Sequence, residues 1–186
     1  MRYEVPETKG EAVSLLAMAE GGGRVLAGGT DLLVQLRSGM VKPDVVVDIK
    51  KIVETREITA ENGGFRVGAA VTGAELDEHK ALKKLWPGVV EAVELIGSTQ
   101  IQGRASMGGN LCNASPAADT VPALIAAGAQ CHIAGPDGER TLPVEEFCTG
   151  PGVTNLQTGE FLVAFSLPSR PPHSGDAYLR FIPRTE

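Results

Sequence analysis

The 186-residue sequence predicts an α+β fold, with a small N-terminal βαβ lobe packed on a larger lobe of mainly antiparallel strands with helices. Three observations carry that reading. Strand, helix and strand patterns follow one another within the first fifty residues, at the spacing of a parallel unit with a right-handed crossover. From about Ile52, short strand-like runs separated by Asn-Gly, Asp-Gly and Thr-Gly turns take over, the pattern of antiparallel pairing. No long linker separates the two patterns, so the lobes should pack together. The expected boundaries are 1–54 for the first lobe and 55–177 for the second, with 178–186 as the start of a further domain.

Residues 8–20 read as the first helix. Thr8 suits the N-cap, Glu11 stands at the reciprocal capping position, and Ala12, Leu15, Leu16 and Met18 recur at roughly helical spacing. Three glycines, 21–23, end it. Residues 24–27 form a short apolar strand that stops at Gly28-Gly29-Thr30-Asp31, where a second helix begins with Leu32, Leu33 and Leu36 on its inner face. Residues 44–48, Asp-Val-Val-Val-Asp, read as a strand buried on both faces. Ile58-Thr59-Ala60 and Phe65-Arg66-Val67 flank a hairpin turn at residues 61–64. Helices are expected from about Ala74, over 88–96, and after Pro116, the last carrying Val121, Leu124 and Ile125. The stretch 97–118 is rich in Gly, Ser, Asn and Ala and has little periodicity. Runs at 129–134 and 160–167 read as strands.

Composition narrows the function classes. A formal net charge of −6, with acids and bases mixed along the chain, argues against non-specific nucleic-acid binding, which needs a basic surface. The N-terminus holds acids and no apolar block, unlike a signal peptide, and no apolar run approaches the ~20 residues of a membrane helix. A cytoplasmic protein is expected. Cys112, Cys131 and Cys148 lack CxxC spacing, and His79, His132 and His173 are scattered, so no metal site is expected and the thiols read as buried or partly buried. No side chain stands out as a general acid, base or nucleophile.

Two glycine-rich turns carry the chemistry. One is Val25-Leu26-Ala27-Gly28-Gly29-Thr30-Asp31-Leu32; the other centres on Ser106, Gly108, Gly109 and Asn110. Paired glycines let backbone N–H groups converge on anionic oxygens, and a following helix start adds partial positive charge. Neither turn matches GxxxxGK[ST] or GxGxxG. A diphosphate held from two sides, some eighty residues apart and outside both common nucleotide folds, is the reading from the residues alone.

LAGGTDLL and ASMGGNLCNASPAAD resemble the two FAD diphosphate loops of the xanthine dehydrogenase and carbon monoxide dehydrogenase flavoproteins, the medium subunits of molybdenum hydroxylases. The resemblance extends through YEVPETKGEAVSLLA, PDVVVDIK, FRVGAAVT and DAYLRFIPR. It implies a type-2 FAD-binding (PCMH-like) fold, with FAD as cofactor. It further implies that Asp119 binds the cofactor through hydrogen bonds, that Ile96 and Leu162 lie against it, and that Ala69, Ala70 and Val71 line the flavin. Arg180 falls where a lysine contacts FAD in animal xanthine enzymes. The implied partners are a 2Fe-2S small subunit and a molybdenum-cofactor large subunit, between which and an external acceptor this chain would carry electrons. Thr30-Asp31 stands where the carbon monoxide enzymes have His-Ser, a departure that weakens any assignment to that substrate. Three other readings are a stand-alone flavin reductase of the murein-precursor type, a truncated non-catalytic FAD module, and a nucleotide-phosphate binder without flavin.

Overall fold

The computed structural model describes residues 1–181. The first sheet is parallel and three-stranded, with β1 (Arg2–Glu4), β2 (Gly23–Leu26) and β3 (Val45–Asp48) in the order β1-β3-β2. β3 is central and every one of its residues is buried, which explains its unbroken Val-Val-Val run. β1 was not expected, because three residues are too few to show a periodicity.

Helix α1 (Lys9–Ala17) begins at the expected capping box: the Thr8 side chain accepts from the Glu11 amide, and the Glu11 carboxylate accepts from the Thr8 amide. Ala12 and Leu16 face inward. Helix α2 (Leu32–Arg37) corrects an expectation. It buries no residue: of the expected inner face, Leu33 is 51% exposed and Leu32 and Leu36 are only half-buried, so the face does not pack on the core. The helix lies at the lip of a cleft instead of on the core.

The second sheet is antiparallel, in the order β4 (Ile58–Glu61), β5 (Gly64–Gly68), β10 (Phe161–Leu167), β6 (Gln130–Gly135), β7 (Gly138–Pro143). Asn62 and Gly63 both have positive φ, as the expected two-residue hairpin turn demands. A small hairpin pairs β8 (Cys148–Gly150) with β9 (Val153–Thr154). Six helices complete this half: α3 (Gly73–Glu78), α4 (Lys80–Leu85), α5 (Pro87–Glu94), α6 (Thr99–Gln102), α7 (Met107–Cys112) and α8 (Thr120–Ala126). Helix α4 went unread because the His79 ring, an uncommon cap, starts it by accepting from the Leu82 amide. The aperiodic stretch 97–118 holds two short helices instead of none.

Strand β10 is the shared partition. Leu162, Phe165 and Leu167 join the larger core with Val89, Val93, Leu111 and Leu124 of the helices. Phe161, Val163 and Ala164 join the smaller core with Ala12, Leu16, Val45 and Val47 of the first sheet and α1. An irregularity between Leu162 and Ala164 makes this division possible by turning consecutive side chains to one face.

After β10 the chain runs as a strap over α5. Trp86 Nε1 donates to the Pro168 carbonyl at 2.9 Å, and Arg170 lies 4.7 Å from the Trp86 ring centre. The Gly88 amide donates to Asp176, and the Tyr178 amide to Glu91. Of the segment 178–186, residues 182–186 lie outside the described part.

Candidate functional site

The first glycine pair is held open by its surroundings. Lys50 Nζ donates to the Ala27 carbonyl at 3.0 Å and to Asp48 Oδ1 at 2.7 Å. Tyr3 donates to Asp48 Oδ2 at 2.6 Å, so strand β1 braces the end of β3. Burial alone would raise the Asp48 carboxyl, but the hydrogen bonds from Lys50 and Tyr3 outweigh it and hold the group below the usual carboxylate range. Gly29 adopts φ +85°, a left-handed conformation that suits glycine and turns the chain from β2 toward α2. Among the described residues, the amides of Gly29, Thr30 and Asp31 have no intramolecular acceptor.

The second pair corrects the sequence reading in one respect. Gly108 and Gly109 are not a turn before a helix; they lie in the first turn of α7 itself. Ser106 is the N-cap and accepts from the Gly109 amide at 3.0 Å. Asn110 Oδ1 accepts from the Thr120 hydroxyl at 2.6 Å and the Thr120 amide at 3.2 Å, fixing α7 to α8.

The two pairs meet. A Cβ on Gly28 would collide with the carbonyl oxygen of Arg104, just ahead of the second motif, and a Cβ on Gly108 would collide with the Ala69 backbone. Both pairs open onto one cleft of about 570 Å³, a size suited to a small-molecule or cofactor ligand. Its walls include Val25, Ala27, Gly28, Gly29, Thr30, Asp31, Leu32, Ile96, Ser106, Gly108, Gly109, Asn110 and Leu162.

Ala69 lines it as well, but five of the residues singled out from the sequence do not; Val71 is buried in the larger core. Leu26 is buried beneath the Gly29 turn. Ala70 faces a smaller hollow of about 290 Å³ behind Gly28, together with Lys50, Arg56 and Arg104. Asp119 and Arg180 face each other, Oδ1 to Nε 3.7 Å, at the start of α8. Its neighbour Thr120, which binds Asn110, links Asp119 to the cleft.

One wall was missed altogether. Gly152, Thr154, Leu156, Gln157, Thr158, Gly159 and Glu160 also line the cleft. Arg140 organises this wall, donating from Nε and from one terminal nitrogen to the two oxygens of Glu160 at 2.7 and 2.8 Å, and to the Asn155 carbonyl at 2.8 Å. The Arg140 hydrogen bonds hold the Glu160 carboxyl below its ordinary range, despite its burial. Twenty residues separate Arg140 from Glu160 and no local pattern announces the pair. Arg24 and Cys112 also reach the cleft; Cys112 is exposed there, against the expectation of a covered thiol. Cys131 is buried and Cys148 intermediate.

Among the described residues, no helix is long and apolar enough to cross a membrane, and no three His, Cys, Asp or Glu side chains are grouped as metal ligands.

Residues 1–170 match the family described as the FAD binding domain in molybdopterin dehydrogenase. The chain is 36% identical over 184 residues to the xanthine dehydrogenase FAD-binding subunit of Escherichia coli O157:H7, covering 98% of this chain and 63% of that protein. It is 31% identical over 176 residues to the carbon monoxide dehydrogenase medium chain of Hydrogenophaga pseudoflava, covering 95% of this chain and 61% of that one. A solved carbon monoxide dehydrogenase from Hydrogenophaga pseudoflava superposes with a TM-score of 0.93 at 30% identity, over all of this chain and 64% of that one. Quinoline 2-oxidoreductase from Pseudomonas putida 86 superposes with a TM-score of 0.86 at 28% identity, over 91% of this chain and 59% of that one. The chain thus spans a little under two thirds of the length of these relatives.

Proposed function

Because the chain belongs to the family of FAD-binding domains of molybdopterin dehydrogenases, we propose that its cleft holds FAD by the diphosphate, between the turn at residues 28–31 and the first turn of α7. The observation that carries this reading is the convergence of two glycine pairs, eighty residues apart, on one cleft whose rim offers uncommitted backbone amides. The fit is chemical as well as spatial. The amides of Gly29, Thr30 and Asp31 suit phosphate oxygens, and the absence of Cβ atoms at Gly28 and Gly108 lets backbone from both halves approach closely. Ile96 and Leu162 supply apolar surface for the rings, and Arg24 adds one cation.

FAD, when bound, supplies the capacity to accept and release electrons. The chain's own contribution is binding, orientation and exclusion of water. Lys50 and Asp48 fix the first turn, Ser106 caps the second, and Arg140 and Glu160 hold the far wall. In an assembled enzyme, an iron–sulfur subunit would deliver electrons that a molybdenum subunit draws from substrate, and an external acceptor would remove them. The names of the relatives, an FAD-binding subunit and a medium chain, support such an assembly. Residues 1–54 and 55–177 are proposed as the two lobes of the binding unit. Asp119 and Arg180 are assigned to the cofactor's periphery through their closeness to Thr120 and Asn110.

Absorption spectroscopy of the purified chain, before and after incubation with FAD and removal of the excess, tests the reading. Flavin bands retained in about equimolar amount are expected. A chain that stays colourless, or one that takes up other nucleotides equally well, overturns it. Oxidation of NADPH by the chain alone would support the reductase reading in its place.

A further inference from the structure

Helix α2 borders the cleft yet has almost nothing holding it down. It buries no residue and makes only marginal contact with any other helix or strand. It is framed by Gly29 at φ +85° and Gly39 at φ +71°, two positions where the backbone turns in a conformation suited to glycine. Among the described residues, one side-chain hydrogen bond ties it to the opposite half: Gln35 Nε2 donates to Asn113 Oδ1 at 3.0 Å, at the end of α7. Gln35 and Asn113 both line the cleft, so this bond joins two parts of its wall.

We propose that Gln35 and Asn113 form a clasp, and that α2 is a flap hinged at Gly29 and Gly39 which the clasp closes over the bound cofactor. The inference rests on the cleft being the FAD site. It assigns a positioning role to Gln35, which lies outside both glycine motifs, and to Asn113, near the end of α7 within the second: they act through the flap and set how long the ligand stays. A segment fixed by so few buried contacts opens at small cost, and one net hydrogen bond shifts that equilibrium by up to about tenfold. The effect belongs to the dissociation rate, since a closed flap resists departure.

The test uses the full chain in four forms, wild type, Gln35→Ala, Asn113→Ala and the double variant, with FAD release followed by fluorescence and hydrogen exchange of residues 32–41 measured with and without FAD. Each single variant is expected to release FAD up to about tenfold faster, the double variant no faster than either single, and α2 to exchange faster in all three variants. Gln35→Glu should restore slow release, because the Asn113 amide can turn to donate. Unchanged release, or effects that multiply in the double variant, overturn the clasp while leaving FAD binding intact. A wild-type chain that fails to bind FAD overturns the reading of the cleft itself, a separate and distinguishable outcome.

Discussion

A Cβ on Gly109 would meet only the Ser106 hydroxyl, at 3.3 Å, whereas one on Gly28 would run into the Arg104 carbonyl. The two glycines are therefore required for different reasons, and substitution separates them. Gly109→Val is expected to leave thermal unfolding nearly unchanged while abolishing FAD binding, because the new side chain occupies the cleft. Gly28→Ala is expected to lose ~1–3 kcal/mol of stability, since backbone must move to admit the methyl group. Calorimetry alongside FAD titration reads both, and equal destabilisation by the two would refute the distinction. Asp48 makes a second prediction. Its folded pKa lies below the ordinary value, so its contribution to stability is complete above about pH 5 and declines as the pH falls through the usual carboxylate range near ~4. The stability advantage of wild type over Asp48→Asn should accordingly be flat at neutral pH and shrink on acidification. An advantage that grows toward acid would show that the carboxylate is not held by Lys50 and Tyr3.

At the scale of elements, the wall at residues 152–160 depends on one guanidinium. Arg140→Met strands Glu160, whose side chain is only 10% exposed, and is expected to cost ~1–3 kcal/mol and to weaken FAD binding. Unchanged affinity would remove this wall from the binding surface. The same wall marks the limit of what sequence could tell. The glycine pairs were legible because a strand meeting two glycines and a helix start has few physical uses, and α1 because its capping box is local in sequence. The strands β3 and β10 announced themselves as unbroken apolar runs. Helix α2 misled because Leu32, Leu33 and Leu36 have core spacing yet none is buried and Leu32 borders a cleft, and nothing local distinguishes the two. The 152–160 wall, the Asp48–Tyr3 brace and the Gln35–Asn113 bond join residues 20 to 78 positions apart, where only tertiary structure brings partners together.

For the whole molecule, β10 is the element on which both cores depend. Phe161 is fully buried in the smaller core, between the first sheet and the second. Phe161→Ala should cost ~3–5 kcal/mol. It should lower a single unfolding transition if the two lobes are one cooperative unit, as their common core requires; two separate transitions in the wild-type chain would contradict this. The backbone abutment of Gly28 on Arg104 has a further consequence. At that point the two halves meet backbone to backbone, with no side chain to compress or swing aside, so this part of the cleft floor is set by folding. A ligand that reaches this floor meets backbone already in place, so the ordering left to oppose binding is the closure proposed for α2, with Thr30 and Asp31 carried at its start.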